Sequence, residues 1–136
     1  MLSYKVIPVV AGIIVLDGFV LLTKRHSMHY DTDDKWEFPG GKVERGETLE
    51  VALERELCQE LVGLKVRVLD LVHAQMNYYS FGDAMVTYFN CVPILPYTAD
   101  ILSKKLEAVE HTFMLPTYVY GLTTLPGTEE ALSHVI

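Results

Sequence analysis

The most restrictive feature of this sequence is a helical stretch that places carboxylates inside its own apolar face. Residues 49–61 read LEVALERELCQEL. The apolar residues within roughly 80° of Leu49 on a wheel of 3.6 residues per turn are Ala52, Leu53 and Leu57. Glu56 and Glu60 fall about 20° to either side of Leu49. Because an unpaired buried carboxylate costs several kcal/mol, a compensating charge must lie beside this helix.

The spacing of the polar residues on this helix indicates what the compensating charge is. Glu56, Gln59 and Glu60 stand at i, i+3 and i+4, hence on one face, where their oxygens could converge on a hard divalent cation. The preceding segment 38–47, FPGGKVERGE, has two glycines that allow a close approach of the backbone. A cation beside such a loop suits phosphates, since Mg²⁺ binds through a few carboxylates, waters and substrate oxygens.

Length and charge limit the class of protein. The chain has 136 residues, half of them hydrophobic, which predicts a single domain over 1–136. Its net charge of −7 and pI near 5.1 argue against a protein that binds nucleic acid duplexes through a basic surface. An anionic ligand must therefore be bound locally or through a cation.

Cysteine usage and hydropathy suggest a cytoplasmic protein. Cys58 and Cys91 have no zinc-type or disulfide-type spacing, which favours reduced thiols. The apolar run 6–16 is too short to span a membrane and lacks a clear signal-peptidase site. It is followed by Asp17-Gly18 and a second apolar run, so we interpret it as a core strand rather than a targeting or membrane segment.

The remaining pattern is strand-rich with two helices. A hairpin is predicted over 6–25, then a polar loop over 26–35, the central helix, and a second hairpin from 65–79 and 84–95. Residues 97–110 are polar and are assigned to a loop, followed by a short strand, HTFML. The last segment has helical spacing with Thr128 as its N-cap. This order favours an α+β fold or a three-layer sandwich.

One motif is more specific than the hydrophobic pattern of strands and helices. Its spacing resembles the Nudix box of the Nudix hydrolases: Gly41, five residues, Glu47, seven residues, Arg55-Glu56-Leu57 and then Glu60. The longer segment 35–48, KWEFPGGKVERGET, resembles the MutT-like branch of that family. The resemblance implies an α/β/α sandwich around a mixed sheet, in which the box forms a loop–helix–loop.

The resemblance also implies a chemistry: hydrolysis of a nucleoside diphosphate linked to another group X, with Mg²⁺ or Mn²⁺ and a water that attacks phosphorus. Glu60 would be a principal metal ligand, and Glu56 a second ligand or base. Arg55 would orient the carboxylates, with Glu47 in the catalytic set, and the Gly40 carbonyl would complete the inner shell.

Two residues depart from the family pattern. Gln59 stands where the first of two glutamates is expected, and it brings a neutral oxygen without charge. Val62 is inserted before Gly63, beyond Glu60, and should alter the helix exit more than the ligand face. Gln59 bears on metal affinity and turnover rather than on the fold.

Further site residues follow from the resemblance. A last metal ligand comes from a late loop in this branch, for which Glu107 and Glu110 are candidates, each alternatively a solvated charge. Arg25 resembles a cation that meets substrate phosphates, with an exposed strand-end charge as its alternative. The other positions assigned to substrate binding are Glu37, Phe38, Gly41 and Lys42.

Aromatic residues offer a weaker signal for the base. Trp36, Tyr78 and Tyr79 could stack on a nucleobase, but strand aromatics are more often core residues. Thr128 falls near the position of an asparagine that reads oxidised guanine in the MutT-like branch, and this loose match assigns no particular base.

Three hypotheses remain after the sequence. The first is a metal-dependent hydrolase acting on a small-molecule nucleotide, as a monomer or homodimer, without binding membranes or nucleic acid duplexes. The second is a nucleotide-binding module that has lost catalytic activity because Gln59 replaces a glutamate. The third is a structural protein with acids on an exposed helix face. It would have to explain the motif residues as coincidence: Gly40, Gly41, Glu47 and Arg55.

Overall fold

The long first strand organises the sheet. In the computed structural model, which describes residues 5–135, β1 pairs with β2 and β4 in antiparallel fashion and with β6 in parallel. The strand order is β3-β2-β1-β6-β5, with β4 beside β1 and β7 beside β2. The strands are β1 Val6–Leu16, β2 Phe19–Arg25, β3 Lys35–Glu37, β4 Gly40–Lys42, β5 Val66–Tyr79, β6 Gly82–Pro93 and β7 His111–Met114. The helices are α1 Leu49–Glu60, α2 Ala99–Lys105, α3 Pro116–Val119 and α4 Thr128–Leu132.

Each face of the sheet carries its own core, because the apolar run of β1 is buried on both faces. On one face, Val10 and Ile14 of β1 pack in a cluster with residues of α1 and α2. On the other face, Ala11 and Ile13 pack in a cluster with residues of α3 and α4. The predicted α+β fold and the α/β/α sandwich around a mixed sheet are therefore confirmed.

Both predicted hairpins form. Asp17 and Gly18 have φ of 55° and 82°, the left-handed pair that closes a tight hairpin between β1 and β2. Strands β5 and β6 pair over most of their length, with register shifts between Val68 and His73. Both cysteines are free thiols. Among residues 5–135, none of the helices has the length and apolar character needed to cross a membrane.

The central helix forms as its pattern predicts. The Thr48 side chain caps α1 by accepting a hydrogen bond from the Val51 amide at 3.1 Å. Leu53 and Leu57 are fully buried against the sheet at Gly12, where a Cβ would lie 2.9 Å from Leu57 Cδ1. The missing side chain in β1 thus lets α1 sit close to the sheet.

Two assignments in the second half of the chain are wrong. Residues 97–110 are not all loop, because α2 forms there with the Thr98 side chain capping the Ile101 amide at 3.2 Å. Its buried residues are Ala99 and Leu102, and the buried Leu106 follows as its C-cap, a signal hidden by the polar residues around them. The N-cap of α4 is Gly127, with φ of 97°, whereas Thr128 is the first helical residue and is buried.

The inserted Val62 lies in the exit of α1, outside the ligand face. After α1 ends at Glu60, Val62 adopts φ of 54° and Gly63 adopts φ of 78°. The Gly63 amide donates to the Cys58 carbonyl at 2.8 Å, which closes the helix. Left-handed backbone is strained for a β-branched residue, so the insertion stores strain outside the ligand face.

Relieving this strain should stabilise the protein. Val62 is 47% exposed, so replacing it with Asn, which tolerates left-handed backbone, loses little packing. We expect Val62→Asn to raise the free energy of unfolding in urea by about 1 kcal/mol. Val62→Thr keeps the branched Cβ and should give no gain. Equal stability of the two variants would show that the Val62 backbone is not strained.

Candidate functional site

Two carboxylates of α1 contact the glycine backbone of β4. The Gly40 amide donates to Glu60 Oε2 at 3.0 Å, and the Thr23 hydroxyl donates to Glu60 Oε1 at 3.2 Å. A Cβ on Gly41 would lie 2.3 Å from the Glu56 carboxyl carbon, and one on Gly40 would lie 2.0 Å from the Val10 carbonyl oxygen. Only glycine therefore allows the strand and the two carboxylates to share this space.

Arg55 joins the loop before α1 to the carboxylates on it. Its Nε and Nη2 donate to the two oxygens of Glu47 at 2.7 and 2.8 Å. Its Nη1 donates to Glu56 Oε1 at 2.8 Å, and Nη2 also donates to the Lys42 carbonyl at 3.0 Å. The hydrogen bonds from Arg55 hold the pKa of Glu47 down at about 2. This arrangement fixes the orientation of Glu56.

The environment of Glu60 disfavours the ionised form of its carboxyl group. Burial, and then the charge of Glu56, raise the pKa of Glu60, against the hydrogen bonds from Gly40 and Thr23. Two like charges kept side by side in a half-buried site call for a cation between them.

The donor set fits a hard cation rather than zinc. In the part of the chain that the structure describes, there is no group of three or more His, Cys, Asp and Glu side chains that could hold a metal. Two carboxylates beside an open pocket suit a hard divalent cation, which prefers oxygen ligands. Structural zinc sites need four protein ligands, a requirement that the Glu56 and Glu60 pair does not meet.

A pocket lies on the other side of β4 from the carboxylates. Its floor includes the backbone of Gly40 and Gly41. Its polar side chains are Arg25, Glu37, Lys42, Asn77, Tyr79, Tyr88 and Thr128. Its apolar lining includes Val9, Ala11, Phe38, Ala84, Val86 and Leu125. An apolar cleft with a few convergent polar groups is the usual form of a small-molecule site.

An ion pair stands inside this pocket. Arg25 Nε lies 3.0 Å from Glu37 Oε2, and the Glu37 side chain is 22% exposed. Burial raises the pKa of Glu37 to about 7, although the charge of Arg25 opposes the shift. The pocket therefore holds a carboxyl group that titrates near neutral pH.

The structure brings together most of the residues that the sequence singled out. Gly40, Gly41, Glu47, Arg55, Glu56 and Glu60 form one connected group, and Arg25, Glu37, Phe38 and Lys42 line the adjoining pocket. Phe38 is only 2% exposed, with its ring edge-on to Tyr88 at 6.2 Å.

Three candidate ligands make no recorded hydrogen bond or ion pair with this group in the part of the chain that the structure describes. Gln59 and Glu107 are exposed. Glu110 pairs with His26 at 2.7 Å and with Lys24 at 3.8 Å. Within residues 5–135, no hydrogen bond or ion pair joins any of these three side chains to Glu56 or Glu60.

Sequence reasoning missed part of the pocket wall. The sequence favours core positions for Tyr78 and Tyr79 and leaves stacking on a base as the alternative. Tyr79 lines the pocket, whereas Tyr78 is 72% exposed, so a core position is wrong for Tyr78. Asn77 was not identified at all. A signal was present, because His73, Gln75, Asn77 and Tyr79 alternate along β5 and must share one face.

Comparisons with known proteins agree with this geometry. The model of the family described as NUDIX domain matches residues 6–113. An 8-oxo-dGTP diphosphatase of Buchnera aphidicola is 47% identical over 58 residues, 43% of each chain. A CTP pyrophosphohydrolase of Escherichia coli is 47% identical over 76 residues, 56% of this chain and 55% of that one. The chain thus spans about half the length of these curated relatives.

Solved structures extend the likeness over the whole chain. The solution structure of a MutT protein from methicillin-resistant Staphylococcus aureus 252 matches with a TM-score of 0.72 and 30% identity, covering 96% of this chain and 95% of that one. The solution structure of the E. coli ORF135 protein matches with a TM-score of 0.74 and 26% identity, covering 98% and 90% of the two chains.

The raised pKa of Glu37 predicts a pH dependence of stability. Between the ordinary pKa of 4.5 and about 7, the folded state binds more protons than the unfolded state, so stability should fall as pH rises through this window. Urea unfolding of the metal-free protein between about pH 5 and 7 should show this slope, and Glu37→Gln should flatten it. Part of the slope should remain, because the pKa of Glu60 is raised as well. The exposed Glu54→Gln variant should keep the full slope, and an unchanged slope in Glu37→Gln would contradict the assignment.

Proposed function

Because this chain belongs to the NUDIX domain family, we propose that it is a divalent-metal-dependent hydrolase of nucleoside diphosphates linked to a group X. The observation that carries the proposal is the pair of carboxylates, Glu56 and Glu60, held against the Gly40–Gly41 backbone next to a pocket. A phosphate chain between the carboxylates and the pocket would lie along β4.

The favoured substrate is a nucleoside triphosphate, cleaved to release pyrophosphate or a monophosphate. The names of two matching relatives, 8-oxo-dGTP diphosphatase and CTP pyrophosphohydrolase, support this class. A third relative, from Aeromonas hydrophila, is named RNA pyrophosphohydrolase, which supports the reaction but not a free nucleotide as substrate. We propose a small-molecule nucleotide as the ligand and, given the net charge of −7, no binding of nucleic acid duplexes. The protein would act in the cytoplasm as a monomer or homodimer.

The residues of the site have distinct proposed roles. Glu60 and Glu56 would hold Mg²⁺ or Mn²⁺, with the Gly40 carbonyl as a further ligand. A bound cation of this kind supplies neutralisation of phosphate charge and a lower pKa for water. Arg55 keeps Glu56 oriented through its bidentate bond to Glu47.

Other side chains would act on the substrate. Arg25 and Lys42 line the pocket and would meet phosphate oxygens. Gly41 lets the ligand approach the backbone, while Glu37 and Phe38 would contact the base. Gln59, Glu107 and Glu110 remain candidates for an additional metal ligand.

A second candidate function follows from Gln59. This side chain carries no charge at the position where a glutamate is expected, which lowers the negative charge available to a cation. A nucleotide-binding module on the same fold would keep metal-dependent binding and lose turnover. Binding measurements alone do not separate the two functions, because the cation bridges carboxylates and phosphates in both.

Transfer of solvent oxygen separates the hydrolase from the binding module. We expect turnover of a nucleoside triphosphate in ¹⁸O-labelled water with excess Mg²⁺ to label one product phosphate. Glu56→Gln and Glu60→Gln should lose the labelling while still binding nucleotide. Glu54→Gln, an exposed change on the same helix, should keep it.

Stability provides the control for this test. Glu60→Gln removes one of two crowded charges, so the metal-free variant should unfold at the same or a higher temperature than the wild type. A large loss of stability with turnover intact would show that Glu60 is structural. Metal-dependent binding of many nucleotides without a labelled product, between about pH 7 and 9.5, would leave the binding module as the function.

A further variant tests the effect of Gln59. Gln59→Glu adds a negative charge on the same helix as Glu56 and Glu60, and should lower the Mg²⁺ concentration that gives half-maximal turnover. Titration of turnover with Mg²⁺ measures the change, with Glu54→Gln as a comparison for altered helix charge. An unchanged half-maximal concentration would show that position 59 does not contribute to cation binding.

A further inference from the structure

A buried hydroxyl on β2 contacts one of the two carboxylates of α1, and the proposed chemistry gives it no role. Thr23 is only 2% exposed, and its Oγ1 lies 3.2 Å from Glu60 Oε1. An ionised carboxylate can only accept hydrogen bonds, so the hydroxyl is the donor. A threonine outside the sequence motif therefore holds a carboxylate that is proposed to bind the cation.

The sheet fixes the position of this hydroxyl. Strand β2 lies between β3 and β7, and Thr23 pairs with Glu37 on one side and with His111 on the other. The two preceding residues, Leu21 and Leu22, are fully buried in the cores on opposite faces of the sheet. A β-branched side chain also has few accessible χ1 rotamers. The Thr23 hydroxyl is therefore presented to Glu60 from a rigid position.

Both oxygens of Glu60 are held, each by a different strand. The Gly40 amide of β4 donates to Oε2 at 3.0 Å, and Thr23 of β2 donates to Oε1. The terminal torsion of a glutamate has only a broad preference, so one hydrogen bond would leave the carboxylate free to turn. Each carboxylate oxygen has two lone pairs, and one on each remains for a cation.

The two carboxylates of α1 thus have separate supports. Arg55 Nη1 holds Glu56 Oε1 at 2.8 Å, whereas Thr23 and Gly40 hold Glu60. The Gly40 donor is a backbone amide, which a substitution does not remove. Thr23 is therefore the side chain through which the orientation of Glu60 can be tested.

The fold itself gives no reason for a hydroxyl at this place. Valine has nearly the shape of threonine and is favoured in strands, and a buried hydroxyl needs a hydrogen-bond partner. Among residues 5–135, Glu60 is the hydrogen-bond partner that the structure records for the Thr23 hydroxyl. The polar atom at position 23 is thus accounted for by Glu60 alone.

We infer that Thr23 is a positioning residue, which fixes the Glu60 carboxylate for binding of a divalent cation. Hydrogen bonds to the groups that hold a metal orient them beforehand, so less order has to be created when the metal binds. The inference rests on the proposed metal-dependent function.

The test measures binding of Mn²⁺ to the nucleotide-free protein, with the electron paramagnetic resonance signal of free Mn²⁺ as the readout. Thr23→Val keeps the shape of the side chain and removes the hydroxyl, so the Kd for Mn²⁺ should rise by about tenfold. Thr23→Ser restores the hydroxyl, and its Kd should stay within about twofold of the wild type. Glu60→Gln should weaken binding more than either variant, which assigns the signal to this site.

Thr112→Val is the matched control, because Thr112 is a partly buried threonine on the neighbouring strand β7. It should leave the Kd for Mn²⁺ unchanged. Thermal melts of the metal-free variants separate orientation from folding. A lower melting temperature of Thr23→Val with an unchanged Kd would show that the hydroxyl is structural, and would overturn the inference.

The pH dependence separates orientation from ionisation. The ratio of the Kd of Thr23→Val to that of the wild type should be the same at about pH 7 and 8.5, because the hydroxyl is absent from the variant at both values. A ratio that falls to about one at the higher pH would show that Thr23 only assists loss of the Glu60 proton. That result would overturn a role in positioning.

Turnover distinguishes this inference from the proposed function. The Mg²⁺ concentration for half-maximal turnover should rise in Thr23→Val by the same factor as the Kd, and excess Mg²⁺ should restore the rate. Weaker Mn²⁺ binding in Thr23→Val without hydrolysis by any variant would refute only the proposed activity. Equal Kd values with hydrolysis intact would overturn the inference alone, and a wild type that binds no Mn²⁺ would overturn both.

Discussion

The close approach of α1 to the glycine backbone of β4 is the constraint on which the site depends. Gly41 has no side chain because the Glu56 carboxylate occupies that space, and the Gly40 amide binds Glu60 directly. Leu53 and Leu57, which are buried against the sheet, hold the helix in this position. Hydrophobic packing, which stabilises the fold, is thus what holds two like charges together against their repulsion. Such a site is less stable than an apolar one, as is common where structure serves binding.

The same short strand links the carboxylates to the pocket. Strand β4 pairs with β1 at Ala11 and Gly40, and β1 pairs with β6 at Ala11 and Tyr88, so three strands set the distance across the sheet. The carboxylates lie on the α1 side of Gly40, and the pocket lies beyond it. Neither site needs a mobile segment to come near the other. The rigidity of a mixed sheet, packed on both faces, suits a ligand with a charged end and an apolar end.

The sequence predicted the parts of the molecule where local pattern and fold agree. The α1 stripe, the Asp17-Gly18 turn and the spacing from Gly41 to Glu60 each depend on neighbours in the chain, and all three are confirmed. Helix α2 was missed because its buried side consists of only Ala99, Leu102 and the C-cap Leu106, which stand among polar residues.

The pocket wall was missed for a different reason. The Asn77 side chain is positioned by its hydrogen bond to the Pro126 carbonyl, 49 residues away, and no local pattern predicts that contact. The alternation along β5 does predict which residues share a face, but not that the face lines a cavity. In the same way, the interpretation of Glu110 as a ligand depended on where a late loop lies, and in the structure its carboxylate pairs with His26. Residues whose role is set by tertiary contacts are the ones that sequence reasoning left open.

The chain tolerates its two departures from the family pattern because they lie outside the contacts that hold the carboxylates of α1. The strained Val62 lies after the last carboxylate of α1, and Gln59 is exposed, so neither change alters the Arg55 contacts with Glu47 and Glu56. Tyr79 lies on β5 in the pocket wall and, among the described residues, shares no hydrogen-bond partner with Arg55. Free-energy effects of changes at such independent sites add. Substitutions on β5 can therefore alter the pocket lining while the Arg55 contacts at α1 stay the same, so the two parts of the site can vary separately.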